Sequence, residues 1–112
     1  MALVVNTAIV LNDGAVITEN AGAASQTIAL DADQKTVIVI DNTSDATNAL
    51  TATFAAGDGL NAGIGDVVEV IAVSKSAVFQ FDSSRIGTDG VVTLTLATSG
   101  TVGNSKVVVI TV

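Results

Sequence analysis

The chain has 112 residues, room for one hydrophobic core and too few for two. Hydrophobic residues make up 49% of it and charged ones only 13%, against roughly 25% in ordinary soluble domains, which excludes intrinsic disorder. Eleven acidic residues face four basic ones for a formal net charge of −7, which excludes nucleic acid as a partner, because that binding rests on Lys and Arg neutralising phosphates.

Taken in chain order, the N-terminus "MALVVNTAIVLNDG" has no basic n-region, and Asn6 and Thr7 break its apolar run. It predicts no secretory signal, and hence synthesis in a cytoplasm. Nowhere do about 18 apolar residues run uninterrupted, so no membrane partner is expected. Short runs rich in Val, Ile and Thr predict strands at Leu3 to Leu11, Ala15 to Thr18, Ser25 to Leu30, Thr36 to Asp41, Ala49 to Phe54, Val67 to Val73, Ala77 to Phe81, Val91 to Ala97 and Lys106 to Val112. Turn chemistry separates them at Asn12-Asp13-Gly14, Asp41-Asn42-Thr43-Ser44, Thr88-Asp89-Gly90 and Thr98-Ser99-Gly100. Strands of this length and spacing predict an all-β fold: a single β-sandwich domain over residues 1–112, jelly-roll-like or immunoglobulin-like, with about eight or nine strands. Residues 1–11 form a candidate extending or exchanged strand, able to add to a neighbour's sheet edge.

The predicted strands are of two kinds. In "VVTLTLA", Val92, Leu94 and Leu96 share one face and Thr93 and Thr95 the other; "LTATF" sets Leu50, Ala52 and Phe54 opposite Thr51 and Thr53. Such alternation belongs to a strand with one wet side. By contrast "TVIVID" (Thr36 to Asp41), "VVEVIAV" (Val67 to Val73) and "KVVVITV" (Lys106 to Val112) are apolar on both faces or nearly so. Either the chain's own strands and loops cover the second face, or other protein chains do.

Chemistry-bearing residues are scarce. The chain has no His, Cys, Trp, Tyr or Pro. Without His the commonest general base and the triad relay are lost, and without Cys so is any disulfide or thiolate metal site. No catalytic, cofactor-binding or metal-binding residue is assigned, no cofactor is expected, and the chain is read as no enzyme. The stretch "FAAGDGLNAGIGDVVEV" (Phe54 to Val70) holds four of the ten glycines. As a phosphate loop it lacks both the P-loop lysine and a following helix. Asp58, Asn61 and Asp66 offer oxygens to calcium, but far fewer than the six to eight it takes. A structural loop is the remaining reading, with glycine supplying positive φ and close backbone approach. Phe79 and Phe81 share a face with Ala77 and are expected in the core. Arg85, the only arginine, is expected beside Asp82 or Asp89, or at a partner's carboxylate.

From Thr36 to the C-terminus the sequence resembles a group of small β-sandwich proteins encoded among the head genes of tailed bacteriophages, the capsid decoration or cement proteins. The residues that carry the likeness are a strand ending in Asn42-Thr43, the Thr-rich strand Leu50 to Phe54, and the Ala56 to Gly59 loop leading to Gly65-Asp66 and Val67 to Val70. The element Ser83 to Ile86, with Ile86 at an aromatic's position, and the turn Asp89-Gly90 complete it. The resemblance implies a structural virion protein on the capsid surface. Its partners would be the major capsid protein and further copies of itself, as a homodimer or homotrimer. The alternatives are a phage tail, baseplate or fibre subunit, or a calcium-dependent or carbohydrate-binding adhesion module.

Overall fold

The computed structural model describes residues 2–4, 6–8, 15–30, 36–60, 62–81, 86–88 and 90–111. Among the described residues ten strands form in chain order: β1 (Ala2–Leu3), β2 (Asn6–Ala8), β3 (Asn20–Ala21), β4 (Ser25–Ala29), β5 (Thr36–Asp41), β6 (Leu50–Phe54), β7 (Val67–Ile71), β8 (Ser76–Phe79), β9 (Val91–Thr98) and β10 (Lys106–Thr111). Two single 3-10 turns, Ala62–Ile64 and Val102–Asn104, interrupt the loops. No described helix is long and apolar enough to cross a membrane.

The strands make two sheets in the orders β1-β4-β9-β6-β7 and β2-β10-β5-β8, with β3 also paired to β10. Four antiparallel pairings are nested: β3 with β10, β4 with β9, β5 with β8, and β6 with β7. The chain from β3 to β10 is thus one long hairpin, rolled so that successive strand pairs fall alternately in the two sheets. The pairings of β10 with β5 and of β9 with β6 then close the sheets. This is the jelly-roll order of two interlocked Greek keys. An immunoglobulin sandwich keeps its last two strands side by side; here β9 and β10 lie in different sheets. The glycine-rich stretch occupies the tip of the rolled hairpin, between β6 and β7.

The alternating strands bury the faces read from the sequence. Leu50, Ala52 and Phe54 of β6 and Val92, Leu94 and Leu96 of β9 meet Ile38, Ile40, Val107 and Val109 of the opposite sheet in one core. All three phenylalanines join there, Phe54 lying 4.8 Å from Phe79 and 4.6 Å from Phe81 between ring centroids. Truncating a fully buried core leucine such as Leu94 to Ala costs about 2–5 kcal/mol, since transfer and cavity terms add.

Most boundaries shift by one or two residues from the sequence reading, β8 running Ser76–Phe79 instead of Ala77 to Phe81, and three differences have a structural cause. The run Leu3 to Leu11 is not one strand. β1 runs parallel to β4 and β2 parallel to β10, so the chain crosses from one sheet to the other between them, and Val4 is buried at the crossing. Residues 5 and 9–11 of that run lie outside the described residues. Ala15 to Thr18 forms no strand; Val16 is 93% exposed, and it is Asn20–Ala21 that pairs with β10. A short apolar run becomes a strand only where a partner edge is available, and the rest of the β10 edge is taken by β2. Finally β7 stops at Ile71, because Ser74 at φ 59° turns the chain from one sheet into the other.

Candidate interaction surface

The two ends of the sandwich are closed by polar corners. At one, Asn42 is buried, and its Nδ2 donates to the carbonyls of Asn48 (3.1 Å) and Ala72 (3.3 Å) while its backbone N–H donates to Lys75 O. One side chain thereby ties the end of β5 to the β5–β6 loop and to the corner between β7 and β8. Beside it, Asp45 Oδ1 accepts from the amides of Thr47 and Asn48, which hold its carboxyl below the ordinary range. The Asp41 carboxyl is also lowered, chiefly by the Thr43 hydroxyl and amide, with smaller help from Ser76 and the Lys106 charge across the ladder. Asn42-Thr43, one of the pieces carrying the phage resemblance, therefore works locally as a corner.

At the other end lies the hairpin tip. Asp66 Oδ1 accepts from the Ala56 amide at 2.7 Å, closing the loop at its base, and Ala56 bridges Ile86. Gly57 packs backbone to backbone on Gly87, whose φ of 92° favours glycine. Asp58 is exposed, and Asn61 lies outside the described residues. Asp66 thus acts in loop closure, and the described residues hold no group of three or more acidic, His or Cys side chains able to share a metal ion. Arg85, Asp82 and Asp89 lie outside the described residues. A shallow recess of about 190 Å³ beside the tip is lined by Ala55, Ala56, Gly87, Thr88 and the start of β9. Among the described residues it presents no titratable group.

What the surface does offer is neutral area. On the outer face of the first sheet the register aligns Ser25, Thr95, Thr53 and Val68 across β4, β9, β6 and β7, and Ala97, Thr51 and Val70 in the next row. Every described side chain that β4, β6, β7 and β9 turn outward is Ser, Thr, Ala or Val, on a chain whose formal charge is −7. The face turns most apolar along the β6–β7 hairpin, where Val68 and Val70 are 56% and 61% exposed. At the hairpin tip Leu60 and Ile64 project at 94% and 66%.

The three strands read as apolar on both faces have different fates. In β10, Val107, Val108 and Val109 are all buried, and β5 is at least half-buried on both faces. In β7 the second face is left open. The exposed hairpin tip was missed by the sequence reading, which took the glycines as the feature of the loop; Leu60 and Ile64 between them were the available signal. No family model, characterised protein or solved structure matches the chain.

Proposed function

We propose that the chain is a structural virion protein that decorates a bacteriophage capsid and stabilises it by binding the shell of the major capsid protein. The observation that carries this reading is the uncharged outer face of the first sheet, continued by Leu60 and Ile64 at the hairpin tip. Exposed apolar side chains such as Val68, Val70, Leu60 and Ile64 mark a place for another protein to sit. The resemblance of residues 36–112 to phage decoration proteins supplies the partner. The jelly-roll order supports it by analogy alone, since viral capsid domains, lectins and cupins share that architecture.

In this role the protein carries no reaction. It binds the assembled shell and not the separated subunits, so mass action shifts the equilibrium toward the shell. The test mixes the purified chain with bare shells of the capsid protein and follows co-sedimentation and the disruption temperature. Saturable binding with a raised disruption temperature is expected. Val68→Glu with Val70→Glu should abolish both while leaving the chain's own melting temperature nearly unchanged, because both valines are exposed. Failure of the parent protein to bind, or full binding by the double variant, overturns the reading.

A further inference from the structure

The sandwich has four lateral edges, and they are not equally protected. Exposed sheet edges invite pairing with another chain, and proteins blunt them with charge, proline, short strands or a covering segment. The N-terminal segment covers two of them, β1 running along β4 and β2 along β10. The edge at β7 carries Glu69, which faces inward with Ala52 and yet is exposed, a charge at the mouth of the sandwich. The fourth edge, β8, is short at four residues, but it carries neither charge nor proline, and no described segment runs along it. Ser76, Ala77, Val78 and Phe79 are uncharged, and among the described residues their strand partner is β5 alone.

On the outer face of the same sheet the register places Val108, Val39 and Val78 in one row across β10, β5 and β8. Their burial falls steadily toward the open edge: Val108 is 6% exposed, Val39 half-buried and Val78 65% exposed. Among the described residues no strand continues the row beyond β8.

We propose that β8 is a self-association edge: two copies pair their β8 strands antiparallel about a two-fold axis, fusing their second sheets into one. An antiparallel edge is its own complement under a two-fold, so a second copy needs no further matching of sequence. Charge permits contact there, since copies carrying −7 each repel one another and β8 itself is uncharged. Pairing sets Val78 beside the Val78 of the other copy and makes the two valine rows continuous. The proposal is independent of shell binding, which uses the opposite sheet.

The test is the solution mass of the full chain by light scattering across a range of concentrations, with amide hydrogen exchange read strand by strand. The expected result is a mass rising from 11.1 kDa to twice that value, with β8 amides slowing in exchange as the dimer forms and β7 amides unchanged. Val78→Glu should hold the mass at the monomer value. A monomer at every concentration overturns the proposal, as does a trimer, which a two-fold edge pairing cannot close. So does a dimer whose β8 amides exchange as fast as the monomer's, a readout that needs no variant. Shell binding is scored separately, so loss of either property leaves the other to be judged.

Discussion

A Cβ placed on Gly57 would lie 1.9 Å from the carbonyl oxygen of Gly87, so the hairpin tip and the chain entering β9 touch backbone to backbone. Neither side of that contact is a flexible side chain that could swing away. Gly57→Ala is therefore expected to destabilise the protein by about 2 kcal/mol or more through forced separation of the two loops. Gly63 has open space around its Cβ position, so Gly63→Ala should be close to neutral. Denaturant unfolding of the two variants side by side checks the difference.

Asn42 is buried and its amide donates to carbonyls of two separate loops. Asn42→Ala leaves those carbonyls without their donor and should cost about 1–3 kcal/mol. Asn42→Asp should cost more at neutral pH, because a carboxylate facing carbonyl oxygens has nothing to donate. Burial and repulsion raise that new carboxyl's pKa, so acidification should recover part of the loss as the protonated form regains an O–H donor. Melting temperatures of the two variants as a function of pH separate these outcomes.

Asp41 is held ionised by the Thr43 hydroxyl and amide, and its carboxyl lies below the usual 3.8. The unfolded chain then binds a proton at Asp41 more readily than the folded one, so stability rises with pH through this window. The contribution is complete above about pH 5, well clear of the unfolded value, and is lost as pH falls through the lowered folded value. Asp41→Asn should be less stable than the parent at pH 6 and converge toward it in strong acid. Comparing the variant with the parent cancels the general relief of acidic repulsion on acidification. A constant difference at all pH values would contradict the assignment.

Gln26 sits on the inner face of β4, 1% exposed, and its Nε2 makes no hydrogen bond. An unpaired buried donor costs free energy that an apolar side chain of similar size does not. Gln26→Leu is expected to raise stability by on the order of 1 kcal/mol, read as a higher denaturant midpoint at unchanged slope. A lowered midpoint would mean that the amide is paired in solution.

The sequence alone determined the fold class and most of the strands, since Thr36–Asp41 and Leu50–Phe54 show their inner faces in a period of two, which is a local property of a pleated chain. It also determined the scarcity of acid–base chemistry, a matter of which residue types are present. Tertiary structure alone decided the strand order, because a jelly roll and an immunoglobulin sandwich can be built from the same alternating strands and differ only in which edges meet. It likewise decided which apolar faces stay open. Val108 and Val78 are both valines within short apolar runs, yet one is buried in the middle of a sheet and the other stands at its margin. Exposure depends on neighbours supplied by segments far away in the chain, and no local pattern encodes them.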